Sequence, residues 1–413
     1  MSRNHIIAGI DIGNANIKTV IANIDTETGR PHILGVGISP STGMRKGAVV
    51  DMNETVRNVA VSVQKAESMS GVKIREAYTS LNGPHIRSQI SRGVIAVSRA
   101  DNEISQHDMN RVIEAASTVS LPPNREKIRV IPKQFIIDGQ EYVKNPVGMK
   151  GVRIEADVMI IDGLSPYIHN MVKAINENNI EVLDFVFSPL ANASAVLDKS
   201  QKEHGVLNLD LGGGMSSLSF FKEGELVHSA ILPIGSRHIT NDLAIILRTS
   251  MEAAEQVKLQ YGYVSTSKAG KKEEFDLSDV LNEEDAVFSK KEIEKVIEAR
   301  VDEIFDMVNN EIKKIGSINM IPAGLVISGG GANLPGLIAY AKERTNLPVR
   351  LGKSQMFGGM TDQLNDLSFA TAAGLVIWGV KEELKGSSFK SFPLFNSSSF
   401  IKRAIGWLKN FLP

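Results

Sequence analysis

Two stretches about half the chain apart repeat one design. "IIAGIDIGNANIKTVIA", residues 6–22, places two Ile- and Val-rich runs around a tight Gly/Asn turn, with Asp11 ending the first run and Gly13 following it. "GVLNLDLGGGMSSLSFFKEGELV", residues 205–227, does the same with Asp210, Gly212, Gly213, Gly214 and a small hydroxyl pair. Each reads as a β-hairpin. Glycine past a strand end lets backbone N–H groups approach a phosphate, because no side chain blocks the way. The aspartate offers oxygen to a hydrated Mg²⁺. A plain turn would explain one copy taken alone. A third loop, "GLVISGGGANLPGL" at 324–337, runs a buried strand into Gly329, Gly330 and Gly331. Together the three loops point to two similar half-folds facing each other across a nucleotide. None is a Walker loop, since no G-K-[ST] follows, and none has the Rossmann spacing.

Composition narrows the setting. The chain has 413 residues, enough for two or three domains. Its formal net charge is -1, so nothing global points to nucleic acid. It has no cysteine, which removes disulfides and thiolate metal sites and fits a reducing compartment. Its His residues show no metal-ligand spacing, so no structural metal is expected. No apolar run is long enough to span a bilayer. The N-terminal "MSRNHIIAGIDIG" is too short and too interrupted for a signal peptide.

The three loops resemble the actin, Hsp70 and sugar-kinase superfamily, in its first phosphate loop (residues 11–19), second phosphate loop (210–217) and adenosine loop (329–336). Longer stretches are more specific. "IPKQFIIDGQEYVKNPVGMKGVRIEADVMII" (131–161), "PIGSRHITNDLAIILRTSMEAAEQVKLQYGYV" (233–264) and "VIEARVDEIFDMVNNEI" (296–312) resemble the bacterial cell-division family FtsA. The resemblance covers nearly the whole chain. It implies an α/β, two-lobed actin-like ATPase fold, a duplicated ribonuclease H-like design. The first lobe would be 1–84 and 164–203, and 85–163 an inserted small α/β domain of the SHS2 type. The second lobe would be 204–385, with a smaller subdomain at 240–315. A flexible linker (386–398) and an amphipathic helix (399–413) would follow. Local patterns agree. "SQHDMNRVIEAASTV" has helical spacing behind a Ser105 cap. Ser289 and Glu292 form a capping box ahead of a helix with an apolar stripe through Ile293, Val296, Ile297, Val301, Ile304, Val308 and Ile312. The polar run before it reads as an exposed loop or short hairpin.

The resemblance also implies the ligands. ATP and Mg²⁺ would lie between the hairpins. Gly13, Asn14, Gly212, Gly213, Gly214 and Ser216 would offer the phosphates backbone or hydroxyl contacts; Lys18 would either point inward to join them or be a solvated side chain. Asp11 and Asp210 would organise the metal and its water, with Asp210 in the catalytic role. Glu255 and Lys258 would meet the ribose and adenine, although as neighbours on one helix face they also read as a surface ion pair. Gly329, Gly330 and Gly331 would pack against the base or ribose. In filament-forming relatives a Gln or Glu ahead of the second hairpin positions the attacking water. The matching stretch here, "VFSPLANASAVL", has Ser188 and no carboxylate. Tight binding with slow hydrolysis is therefore expected.

The last residues carry their own signal. On a helical wheel, Phe400, Ile401, Ala404, Ile405, Trp407, Leu408, Phe411 and Leu412 fill one arc of roughly 160°. Lys402, Arg403 and Lys409 lie on the other side with no acid among them. That describes a helix lying in an anionic membrane interface. A helix docked on the protein's own core is the alternative, and the Ser-rich stretch with Pro393 before it favours a tether. Many such helices on one filament would bind with avidity. The resemblance implies self-assembly, recruitment of later division proteins, and binding of the C-terminal peptide of the tubulin-like FtsZ near Arg300. Arg300 also suits a snorkelling position beside the apolar stripe. The expected place is the cytoplasmic face of the bacterial membrane at the division site. Two rivals stand beside this reading. One is a PilM-like cytoplasmic scaffold of type IV pilus assembly. The other is a sugar kinase or chaperone ATPase, which would need a catalytic base or a peptide-binding domain that the sequence does not display.

Overall fold

The computed structural model describes residues 5–25, 28–265, 274–276, 287–354, 357–359 and 362–384. The first sheet has six strands, in the order Glu181–Phe187, Glu76–Leu81, Ile6–Ile12, Asn16–Ile24, Pro31–Pro40 and Gly358–Gly359. Strands 6–12, 16–24 and 31–40 form an antiparallel meander, and 76–81 joins parallel to 6–12. Both faces are covered, which is why "IIAGIDI" is apolar almost throughout. Helix Met52–Ser70 covers one face, where Thr19 Oγ1 and Ser62 Oγ meet at 2.9 Å. Helix Ala370–Leu384 covers the other; a Cβ on Gly9 would sit 2.8 Å from the Ala372 carbonyl oxygen.

The second sheet repeats the plan. Its order is Glu225–Leu232, Ser216–Lys222, Val206–Leu211, Leu325–Ser328 and Val349–Leu351. It again pairs an antiparallel meander with a parallel neighbour. Helices Ser236–Leu247, Met251–Tyr261, Lys290–Ile315 and Leu337–Thr345 accompany it. The capping box at Ser289 and Glu292 is formed, and Ile293, Ile297, Val301, Ile304, Val308 and Ile312 are buried, with Val296 half-buried beside them. Ahead of this helix, Glu274–Asp276 pairs antiparallel with Val287–Ser289.

Between the first lobe's strands sits a third sheet of four antiparallel strands, ordered Arg87–Ala96, Arg153–Leu164, Arg125–Ile137 and Gln140–Val143. Helix Gln106–Ser117 packs on it behind the Ser105 cap, enclosing a separate core that includes Ile104, Val112, Phe135, Ile154 and Ile160.

One expected boundary needs correction. The second lobe does not run through residue 385. Gly358 and Gly359 pair with His32 and Ile33 of the first sheet, and helix 370–384 contributes to the first lobe's core. The chain returns because the open face of the first sheet needs an apolar cover, and "ATAAGLVIW" supplies it. The expected linker and terminal helix, 386–413, lie outside the described residues.

Candidate functional site

The two hairpins match in register. Asp11 stands opposite Lys18 and Ile12 opposite Ile17, while Asp210 stands opposite Ser217 and Leu211 opposite Ser216. Each aspartate is thus one step from its turn, at 13–16 and 212–215. The turns abut. A Cβ on Gly213 would lie 2.6 Å from the Ala15 Cβ, and one on Gly214 2.9 Å from the Asn14 Cβ. Only glycine lets the backbones approach this closely. Gly13 donates its N–H to its own turn, at Asn16 O (3.2 Å). The start of helix 236–247 braces the second turn: Ser236 N–H donates to Gly212 O (2.9 Å) and Arg237 N–H to Gly213 O (2.8 Å). Hydrogen bonds among the described residues leave the N–H groups of Asn14, Ala15, Gly213 and Gly214 unused.

Each carboxylate is held by a hydroxyl that the sequence did not single out. Ser80 Oγ donates to Asp11 Oδ1 at 2.7 Å and accepts the Ile12 N–H at 3.1 Å. Thr371 Oγ1 donates to Asp210 Oδ2 at 3.1 Å. Burial raises the Asp11 pKa, against the opposing pull of Lys18 and the Ser80 bond. Burial also pushes Asp210 up to about 6, with the Asp11 carboxylate adding to it and Thr371 and Lys18 opposing. Lys18 is 8% exposed and sits over the Phe369 ring, 5.7 Å from its centre.

Other expected contacts fall differently. Ser216 is fully buried, and its hydroxyl donates to Ile234 O at 2.7 Å. It faces away from Asp210 because strand residues alternate; Ser217, across from Asp210, lies on the Asp210 side. The Ser217 hydroxyl is buried without a hydrogen-bond partner among the described residues. Asn14 Oδ1 accepts the Gly47 N–H at 2.9 Å, so its carbonyl is committed and its amide nitrogen faces Gly214.

The third loop reaches the same place. Gly329 (φ +85°) follows strand 325–328, and a Cβ there would lie 2.3 Å from Asp210 Oδ1. Gly330 and Gly331 begin a short 3₁₀ turn beside it. Glu255 and Lys258 pair at 2.7 Å and share Thr240: its hydroxyl donates to Glu255 Oε2 (2.5 Å) and accepts from Lys258 Nζ (2.9 Å). Their helix ends against the third loop, where Val264 N–H donates to Pro335 O at 3.0 Å. Ser188 is buried and donates to Leu81 O (3.2 Å), so it is no base. Arg300 makes a two-pronged bond to Asp242 (2.7 and 2.9 Å) and a further one to Glu303, clamping helix 290–315 to helix 236–247. The expected membrane-facing residues 400–412 lie outside the described residues.

The donor set fits a phosphate and a hydrated divalent ion. N–H groups unused among the described residues lie in the turns, and the two buried carboxylates Asp11 and Asp210 stand beside them. Among the described residues no cluster of three or more acidic or His ligands exists that could cage a metal alone. A two-carboxylate site suits Mg²⁺, which keeps water and takes its remaining ligands from bound phosphate. Among the described residues no helix is long and apolar enough to cross a membrane.

Comparison with known proteins agrees with this geometry. The family model "Cell division protein FtsA" matches residues 207–374, and "SHS2 domain inserted in FTSA" matches 83–162. The chain is 36% identical to "Cell division protein FtsA" of Bacillus subtilis, over 91% of this chain and 84% of that one. It is 31% identical to the protein of the same description from Escherichia coli K12, over 98% and 97%. Among solved structures, a "PilM-PilN type IV pilus biogenesis complex" superposes with a TM-score of 0.63 at 16% identity, covering 91% of this chain and 98% of that one. "MreB 5 of Spiroplasma citri bound to AMPPNP" superposes with a TM-score of 0.55 at 14% identity, covering 94% and 99%. At those identities the structures share the actin-like fold and nothing finer.

Proposed function

The chain belongs to the FtsA family of cell-division proteins, and on that premise we propose that it is an ATP-binding, self-assembling adaptor that tethers the FtsZ ring to the membrane. The observation that carries the nucleotide part is the abutting pair of Asp–Gly turns, with Asp11 and Asp210 at equivalent places beside them. Backbone N–H groups of the turns would hold the β- and γ-phosphates of ATP. The two carboxylates would hold Mg²⁺, whose charge offsets that of the phosphates. Lys18 would screen the same charge from below. Gly329, Gly330 and Gly331 would seat the nucleoside, with Glu255 and Lys258 at its rim. Asp210 is the group nearest a catalytic role. Hydrolysis is slow in this reading, because segment 186–197 holds no carboxylate and Ser188 is spent on Leu81. Bound nucleotide then serves mainly to hold the lobes closed for assembly.

In the same reading the terminal segment lies in the anionic inner face of the bacterial membrane. The FtsZ peptide docks on the smaller subdomain near Arg300, and the inserted domain meets neighbouring subunits or later division proteins. Relatives that are division proteins over nearly their whole length favour this over the pilus scaffold, whose likeness is one of fold.

The test is co-sedimentation with anionic liposomes, at low and high salt, with and without ATP·Mg²⁺. The full chain is compared with one ending at Ser397 and with Gly213→Val, which forces the turns apart. The full chain should pellet, less in salt and more with ATP. The shortened chain should stay in solution, and Gly213→Val should lose the response to ATP. Equal pelleting of full and shortened chains would overturn the membrane role; an unchanged ATP response in Gly213→Val would overturn the nucleotide site.

A further inference from the structure

The two aspartates are held in different ways. Asp11 takes its hydroxyl from Ser80, a neighbour on its own sheet. Asp210 takes its hydroxyl from Thr371, which stands on the helix covering the opposite lobe. Behind Thr371 the bonds continue. Asn192 Nδ2 donates to Thr371 Oγ1 at 3.2 Å. Asn192 Oδ1 accepts from Ser328 Oγ and from Asn208 Nδ2, each at 2.9 Å. Asn208 and Asp210 lie on one strand of the second sheet, and Ser328 is beside Asp210 on the next.

The direction of this chain is fixed by chemistry. A carboxylate only accepts, so Thr371 must donate to Asp210. The remaining lone pairs of its hydroxyl then take an Asn192 N–H. That turns the Asn192 carbonyl toward the second sheet, where two donors meet it. Asn192 and Ser328 are fully buried, and Asn208 and Thr371 are at most 4% exposed. A buried network with this many links is rigid while whole and costly when cut. It also bridges two bodies. Asn192 and Thr371 ride on helices 188–196 and 370–384, which belong to the first core and cross where a Cβ on Gly374 would meet the Ala191 carbonyl oxygen at 1.8 Å. The three acceptors and donors facing them belong to the second sheet.

We propose that Asn192 and Thr371 are positioning residues of the candidate nucleotide site, fixing the Asp210 carboxylate and fastening the second lobe to the helix crossing of the first. This rests on the nucleotide reading above only where it concerns ligand binding. When the lobes part, Thr371 leaves Asp210, and the bonds that Ser328 and Asn208 make to Asn192 break, while the bond from Asn192 to Thr371 stays within the first lobe. The position of Asp210 therefore depends on closure, while that of Asp11 does not. Buried polar atoms without partners among the described residues, Asn208 Oδ1 and the hydroxyls of Ser217 and Ser219, line the same side of the second sheet. The seam is polar there, as befits a joint that admits water when it opens.

The chain has no cysteine, so two can be introduced for spin labels without background. Exposed sites on rigid helices are Val61 in the first lobe and Leu259 in the second. Interlobe distances are measured by pulsed electron resonance in the full chain, without nucleotide and with ATP·Mg²⁺. Affinity for a fluorescent ATP analogue is read with and without Mg²⁺. Thr371→Val removes the hydroxyl at constant shape, and Thr371→Ser keeps it. The Val variant should broaden and lengthen the nucleotide-free distance and weaken Mg²⁺-dependent binding about tenfold, the usual worth of a hydrogen bond to a charged group. The Ser variant should restore both. Asn192→Asp, which swaps the donor for an acceptor, decides the matter if Thr371→Val does not fold; it should broaden the distance too. Distances and affinities matching the parent in the Val variant, or in Asn192→Asp where that stands in, would overturn the proposal. A parent that binds no ATP would sink the nucleotide reading, yet the nucleotide-free distances would still test the tether.

Discussion

Replacing Gly374 by alanine probes the crossing of helices 188–196 and 370–384. The added Cβ would lie 1.8 Å from the Ala191 carbonyl oxygen and 2.4 Å from its carbon. Ordinary contact begins near 3.4 Å, so the helices must separate by roughly 1.5 Å. The obstacle is backbone and cannot rotate away. The surroundings are equally tight: Ala191, Ala193, Ala373, Leu375 and Val376 are all fully buried. Alanine gains about 1 kcal/mol over glycine in helix propensity. Overpacking costs about 1–3 kcal/mol, and a backbone clash belongs at the upper end. The net expectation is a loss of about 2 kcal/mol. It would be read as a lower midpoint of the first urea transition. Gly330→Ala is the control: its Cβ would find Ser368 Cβ at 3.6 Å, an ordinary contact, and should change little. A Gly374→Ala protein as stable as the parent, or more so, would refute the packing argument, because only the propensity term would then be acting.

Two further perturbations address the inserted domain. Asp108 is fully buried and accepts five hydrogen bonds, from the N–H and hydroxyl of Ser98 (3.2 and 2.6 Å), the N–H and hydroxyl of Ser105 (3.1 and 2.6 Å) and the Arg111 guanidinium (3.2 Å). Asp108→Ala should cost about 3 kcal/mol, and hydrogen exchange across residues 106–117 should rise while the second lobe stays protected. His85, stacked on Tyr167 with ring centres 4.6 Å apart, is buried and its ring nitrogens have no partner among the described residues. Burial, with nearby Arg125 adding, lowers its pKa to about 4. Unfolded, this ring takes a proton below about pH 6.5; folded, it resists to about pH 4. Its contribution is whole above pH 6.5 and shrinks as pH falls toward 4, by about 1–2 kcal/mol after allowing for solvent screening. His85→Phe should flatten that part of a stability-against-pH curve; an unchanged curve would show that another group titrates.

The hairpins were legible because their apolar runs, aspartates and glycines are consecutive, and a turn is local chemistry. The Ser105 and Ser289 caps were legible for the same reason. The direction of the Ser216 hydroxyl, toward Ile234 O, was not legible: in "MSSL" the two hydroxyls differ only in which face the strand register gives them. Ser80, Asn192 and Thr371 were passed over because each sits in a stretch that reads as core, such as "SPLANASAV". Their roles arise from contacts spanning 69, 179 and 161 residues, which no local pattern encodes. Arg300 was marked for a partner, and its bidentate grip on Asp242 could not be read from spacing across 58 residues.

The return of residues 358–384 to the first sheet has a consequence for biosynthesis. Domains ordinarily fold from the N-terminus as they leave the ribosome. Here the strand Ile6–Ile12 lacks the helix that covers it until residues 370–384 have been made. The second sheet has all its strands by residue 351. The lobe begun first is therefore the last to be finished, and until then its bare apolar face is open to whatever chaperone or neighbour meets it.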